Sequence, residues 1–402
     1  MPLPRRAFLG AAAALAAPAL VRAQGSAPIR VGEVNSYTAA PAFTLPYRNG
    51  WTLAAEQVNA AGGVLGRKLD IVSRDDGGQP QTAIRVAGEL VGNEKVDLLA
   101  GGYLSNVGLA LSAFAAQNGK LYVAGEPLSD ALVWEKGTKT CFRLRPDTYM
   151  QVAMLLQDAA KLPAKRWATV APNYEYGQSA VKWFKKLLSE KRPDVQFVGE
   201  QWPALGHMDA GPTVEALQEL KPDGIFNATF GPDLTNLVRQ GNTRGLFDQR
   251  SVVSVLTGEP EYLDPLGDEA PQGWIVTGYP RDQLTDPANK AFSDAYRARF
   301  KEEPRMGSVV GYALIKSIAA GLAKSGGTGT DQLVAGFSGV SFETPFGPAT
   351  YRALDHQGTL GTYVGKLGTV KDKPAMVDWH YVDGASVMPS DAEVRTLRPV
   401  PG

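Results

Sequence analysis

The stretch LLAGGYLSNVGLAL, Leu98 to Leu111, ends an apolar run in two glycines. A tyrosine, a serine and an asparagine follow before helical spacing resumes. A phosphate cradle, a nucleophile elbow and a pocket for a small solute all begin this way. Gly101-Gly102 do not continue as G-x-G-x-x-G, so the dinucleotide fingerprint is missing. GLAKSGG lacks the Walker spacing, and in GFSGV Val340 stands where an elbow needs its second glycine. His207, His356 and His380 are far apart, with the spacing of neither a metal site nor a Ser-His-Asp triad. Asp75-Asp76 pairs two carboxylates, and a solvated turn with a helix cap accounts for them without catalysis. Asn227-Ala228-Thr229 matches a glycosylation sequon by chance inside an apolar strand. Cys141, the single cysteine, allows no internal disulfide and reads as a small buried hydrophobe. No catalytic residue, metal site or cofactor is expected.

The solute pocket survives this elimination. In open parallel sheets, ligands bind outside the carboxyl ends of the strands. Gly101 and Gly102 would let backbone approach a ligand. Ser105 and Asn106 are expected to cap the following helix, whose unpaired N–H groups and positive dipole end suit a carboxylate.

The elements that must hold this corner alternate in period. IRVGEV (29–34), LDIVSRDD (69–76), VDLLAGG and KLYVAGEP read as strands, nearly continuous apolar runs of the kind buried on both faces of a parallel sheet. Between them, Trp51, Ala54, Ala55 and Val58 mark one helix face, and Ala83, Val86, Ala87, Leu90 and Val91 another. The alternation restarts near residue 146 with RWATVAP, GQSAVKWFKKLLSEKRP and VQFVGEQWP. Two α/β units in tandem are predicted, each with its own parallel sheet. Phe292, Tyr296 and Phe300 share a helix face, VVGYALIKSIAAGLAKSGGTG is a further helix, and Val340 to Trp379 reads as short strands.

Composition sets the class. With 44% hydrophobic and 20% charged residues among 402, the chain is an ordinary globular protein with a sizeable core. The first 23 residues differ: Arg5-Arg6, an apolar stretch from Phe8 to Val21, then Val21-Arg22-Ala23. This is the pattern of a cleaved export signal, and its Arg-Arg-Ala-Phe-Leu core is twin-arginine-like. Loss of Arg5, Arg6 and Arg22 would leave three more acidic than basic residues. That balance argues against a nucleic-acid partner.

Several stretches, in order, carry a resemblance: AAGGVLGRKLDIVSRDDGGQPQTA, DLLAGGYLSN, FRLRPDTYMQ, YEYGQSAVKWF, LKPDGIFNATFGPDLTNLVRQG and VVGYALIKSIAAGL. From about residue 28 to 375 the chain resembles a solute-binding protein of the branched-chain amino acid (Leu/Ile/Val-binding) family of ABC transporters. The resemblance implies an α/β, two-lobed type I periplasmic-binding fold, with a mostly parallel sheet flanked by helices in each lobe and a hinge of three crossovers. It places lobe one in 28–145 and 280–355, and lobe two in 146–279 with completion and tail in 356–402. It implies a monomer in the periplasm, not an enzyme, that closes on a small solute and docks on a membrane permease.

Carried over by residue, the resemblance makes Ser105 the serine on the ligand carboxylate and Tyr176 of YEYG an aromatic over the ligand. Phe230 becomes an aromatic wall and Glu259 of LTGEP the acid for an ammonium. Glu126, Pro127 and Leu128, with Ser129 after them, depart from the family's small or hydroxyl residues, and Pro127 has no N–H to give. Tyr103, Ser105, Asn106, Glu126, Ser129, Tyr174, Tyr176, Phe230 and Glu259 form the candidate site. The expected ligand is a small amino acid or amide. An aromatic carboxylate stacked on Tyr103, Tyr174, Tyr176 and Phe230 is the alternative ligand, and a periplasmic sensor input the alternative role.

Overall fold

The computed structural model describes residues 27–398; the export-signal reading falls outside them. The apolar runs form strands β1 (Ile29–Asn35), β2 (Leu69–Asp75), β3 (Leu98–Gly101), β4 (Tyr122–Ala124) and β5 (Cys141–Arg143). They build an all-parallel sheet in the order β2-β1-β3-β4-β5. β3, β4 and β5 are buried throughout, as continuous apolar strands require, whereas β2 at the edge is mostly half-buried. Cys141 is buried.

The second unit follows the same logic with β6 (Arg166–Val170), β7 (Gln196–Gln201), β8 (Gly224–Asn227), β9 (Ser251–Gly258) and β10 (Ile275–Gly278). A hairpin, β11 (Ser341–Thr344) and β12 (Gly347–Thr350), packs on the helix Met306–Ser325. The last strands, β13 (Thr362–Val370) and β14 (Lys373–Val382), pair antiparallel and return to the second sheet, ordered β14-β13-β10-β9-β8-β6-β7.

The chain thus passes between the sheets three times: after β5, after β10 and before β13. Met306–Ser325 lies against Pro41–Ala60, beside the first sheet. Their approach is close enough that a Cβ on Gly50 would sit 2.0 Å from the Ser308 carbonyl oxygen, and one on Gly311 2.1 Å from that of Tyr47. Met306–Ser325 is long and apolar enough to cross a membrane by length and composition, yet it is mostly buried, as a core helix is.

Two expectations for the turns change. Asp76 is buried rather than solvated, its Oδ1 accepting from Ser36 Oγ at 2.7 Å and Gly78 N–H at 2.7 Å. The helix Pro80–Gly92 starts at Gln79 without a side-chain cap, because both aspartates are spent inside the turn. Gly101 and Gly102, at φ 105° and 85°, adopt the left-handed backbone that glycine favours. A Cβ there would lie 2.4 Å from the Val34 carbonyl oxygen and 2.5 Å from Tyr122 Oη. The pair is therefore explained by the chain's own packing rather than by the approach of a ligand.

Candidate functional site

The corner after β3 opens into a small cavity between the lobes. Tyr103 and Ser105 come from the β3 turn, and Glu126 and Leu128 from the loop after β4. The second lobe contributes Tyr174, Tyr176, Phe230, Leu256 and Tyr262. These side chains leave a void of about 20 Å³, room for roughly one water molecule. A larger cavity of about 660 Å³ lies elsewhere, between the Tyr279–Gln283 segment and the turn joining β13 to β14. The smaller one collects the convergent aromatic and polar groups that a solute site needs.

Ser105 is the first residue of the helix Ser105–Gln117, whose N-cap is Leu104 with no side-chain bond. The expected capping role of Ser105 and Asn106 is thereby corrected. Ser105 Oγ instead accepts the N–H groups of Leu128 at 3.3 Å and Ser129 at 3.1 Å. Two N–H donors polarise this hydroxyl and leave its own proton to give, beside the positive end of a thirteen-residue helix. An anionic group suits that corner.

The opposite chemistry centres on Arg145, in the first crossover. Its Nη1 lies 2.6 and 2.8 Å from the two oxygens of Glu126, on the first lobe. Its Nη2 lies 2.6 Å from Glu259 Oε1, on the loop after β9. All three residues are buried. Burial works against the guanidinium charge, but Glu126 and Glu259 outweigh it and hold Arg145 above its ordinary value. Burial pushes both carboxyls up while Arg145 pulls them back. Nearby, burial and the Glu259 charge push Glu261 up to about 7, though it accepts N–H bonds from Met306 at 3.2 Å and Gly307 at 2.6 Å across the lobes.

Further contacts tie the lobes together. Tyr103 and Tyr262 share a hydrogen bond of 2.9 Å between their hydroxyls. Phe230 lies edge-on to Tyr103 and to Tyr176, with centroids 6.2 and 5.6 Å apart. Ser129 Oγ donates to Glu175 Oε1 at 2.7 Å, and Ser179 Oγ donates to Asp130.

Of the residues proposed from sequence, Tyr103, Ser105, Glu126, Tyr174, Tyr176 and Phe230 meet around this one cavity. Ser129 and Glu259 stand behind it as partners of its wall, and Asn106 lies in the first helical turn with Oδ1 buried and unpartnered. Leu128, Arg145, Leu256 and Tyr262 were not among the expected site residues. FRLRPD carried a signal for Arg145, since an arginine at the end of an apolar strand must be paired when buried. Leu256 has φ 69°, rare for leucine, and its N–H is held by Thr277 Oγ1 at 2.9 Å; no sequence signal announces that geometry. Among the described residues, no group of three or more His, Cys, Asp or Glu is placed to hold a metal ion.

Comparison with known proteins agrees with this architecture. The family model described as periplasmic binding protein matches residues 28–373. The Leu-, Ile-, Val-, Thr- and Ala-binding protein of Pseudomonas aeruginosa is 27% identical over 79% of this chain and 82% of its own length. The Leu/Ile/Val-binding protein of Escherichia coli K12 is 26% identical over 81% and 84%. Among solved structures, an ABC transporter solute-binding protein from Rhodopseudomonas palustris BisB5, in complex with 3,4-dihydroxybenzoic acid, superposes with a TM-score of 0.80 at 24% identity, covering 89% of this chain and 98% of that one. The Leu-, Ile-, Val-, Thr- and Ala-binding protein of Brucella ovis, in its closed conformation, gives 0.79 at 19% identity, covering 90% and 97%. Two lobes, three crossovers and a family match across most of the chain make this protein a member of the periplasmic binding protein family.

Proposed function

We propose that the chain is the extracytoplasmic solute-binding component of an ABC importer. It works as a monomer in the periplasm, does no chemistry on its ligand, and delivers a small amino acid or amide-like solute to a membrane permease. The lobes, 28–145 with 280–355 and 146–279 with 356–402, close on the solute by bending at the crossovers. The observation that carries this reading is the polarity of the cleft. The Ser105 hydroxyl and a helix N-terminus offer donors for a carboxylate. Glu126 and Glu259, sharing Arg145, offer carboxyl oxygens as acceptors for an ammonium. The names of the Pseudomonas and Escherichia relatives point to the same ligand class.

A second reading, an aromatic carboxylate, draws on the five rings of Tyr103, Tyr174, Tyr176, Phe230 and Tyr262 around the cavity. The dihydroxybenzoate-bound neighbour makes it worth testing. A thermal-shift screen of amino acids, amides and aromatic acids separates the two, since a ligand at 100 times its Kd stabilises by about 2.7 kcal/mol. Shifts with amino acids support the first reading, and shifts confined to aromatic acids replace it with the second.

A further inference from the structure

The rings around the small cavity are held in different ways. Tyr174, Tyr176 and Phe230 belong to the second lobe and lean on one another, with centroids 6.0 Å apart for Tyr174 and Tyr176 and 5.6 Å for Tyr176 and Phe230. Tyr103 belongs to the first lobe and has Phe43 behind it at 5.3 Å. Tyr262 is a ring of the second lobe whose hydroxyl is committed to the first, its Oη 2.9 Å from Tyr103 Oη. Among the described residues, this is the one hydrogen bond that joins lining residues of opposite lobes. Both tyrosines are buried. A buried phenol needs a partner, and here each hydroxyl is spent on the other.

The short helix that carries Tyr262, Pro260–Leu263, is seated on the first lobe by the residue before it. Glu261, also buried, accepts the N–H groups of Gly307 at 2.6 Å and Met306 at 3.2 Å, the first two residues of the helix Met306–Ser325. A Cβ on Gly307 would lie 2.3 Å from the Phe43 carbonyl oxygen, so the residue behind Tyr103 and the helix that receives Glu261 meet at one junction. Two successive residues thus bind the opposite lobe at two points. A solute that pushed the Tyr262 ring out of the cavity would break the bond to Tyr103, and one that pushed the helix away would break the Glu261 bonds as well.

We propose that Tyr262 is a specificity-determining residue: hydrogen-bonded to Tyr103 across the cleft, its ring forms the wall that sets the largest solute on which the lobes can close. This rests on the solute-binding reading above and deepens it. A solute whose group at this wall is short and apolar leaves the tyrosine pair intact. A longer one breaks the pair, strands two buried hydroxyls and is refused. Glu261 is a positioning residue, which seats the Tyr262 helix and takes no place in the cavity lining.

Calorimetric titration of the full chain with two pairs of probes tests this: L-leucine against L-phenylalanine, and benzoate against 4-methylbenzoate. In each pair the second member is the larger. Tyr262→Ala, which removes the wall, is expected to shift the affinity ratio about tenfold or more toward the larger member of whichever pair binds the wild type. A tyrosine of merely structural importance would cost both members alike and leave the ratio unmoved. If Tyr262→Ala does not fold, as judged by thermal melting, Tyr262→Leu, smaller than tyrosine and still apolar, decides in its place. A ratio shifted by less than about threefold, or loss of both members alike, overturns the assignment, while binding to the wild type keeps the solute-binding reading. Binding of the benzoates alone overturns the amino-acid reading, and the ratio is then read on that pair. Failure of the wild type to bind any of the four removes both ligand readings and the assignment with them.

Discussion

Arg143 Nε donates to Gln357 Oε1 at 2.6 Å, joining the first crossover to the third inside the buried hinge. The same guanidinium donates to the Ser129 carbonyl oxygen and, through Nη2 at 2.8 Å, to Asp147. Gln357 returns a bond from Nε2 to the Arg145 carbonyl oxygen at 2.8 Å. Two arginines two residues apart therefore divide the work: Arg143 knits the hinge, and Arg145 reaches the cleft.

Removing Arg143 leaves Asp147 buried without its cation. Arg143→Met is expected to destabilise the fold by about 3–5 kcal/mol. Urea unfolding followed by circular dichroism measures this, and a loss under about 1 kcal/mol would show that the hinge network contributes little.

Close packing of the two helices gives a second prediction. Gly50→Ala would push a Cβ to within 2.0 Å of the Ser308 backbone oxygen, which cannot swing aside as a side chain can. A loss of about 1–3 kcal/mol is expected, read as a lowered melting temperature. Wild-type stability in this variant would mean that the helices are not in such close contact.

The pH dependence of stability follows from Glu33. Burial pushes its carboxyl up to about 7, although Ser73 and Tyr37 donate to Oε2 at 2.7 and 2.8 Å. The folded chain thus keeps this proton to higher pH than the unfolded chain. Glu33 contributes its full stability below its ordinary value of 4.5, and that contribution is lost as pH rises through 7. Glu33→Gln, which mimics the protonated form, is expected to match the wild type in acid and to exceed it by about 3 kcal/mol near pH 8. Parallel pH–stability curves for the two proteins would contradict this.

Much of this architecture was legible in the chain, and the reason is local. Leu98–Gly101 and Tyr122–Ala124 read as strands because parallel strands buried on both faces are apolar throughout. Ser105 was legible because a hydroxyl just past a strand and two glycines sits at a sheet's carboxyl end. Long-range pairing was not legible. Arg145 meets partners 19 and 114 residues away, and only the folded chain shows that one guanidinium serves both acids. The glycine pair was read for the right turn and the wrong reason, since its neighbours are Val34 and Tyr122.

Ser105 carries the prediction for affinity. Its hydroxyl, held by the N–H groups of Leu128 and Ser129, is expected to donate to an anionic end of the solute. A hydrogen bond to a charged group contributes about 1.5–3 kcal/mol, so Ser105→Ala should weaken binding about tenfold to a hundredfold. Calorimetry with the tightest ligand from the screen checks this, and a change under about twofold would remove Ser105 from the site.

The central claim is that the lobes close on a solute bound between them. Small-angle X-ray scattering of the protein, with and without the tightest ligand from the screen at full occupancy, tests it most directly. The radius of gyration is expected to fall on binding, as hinge bending brings the lobes together. Identical scattering curves at an occupancy confirmed by calorimetry would contradict it.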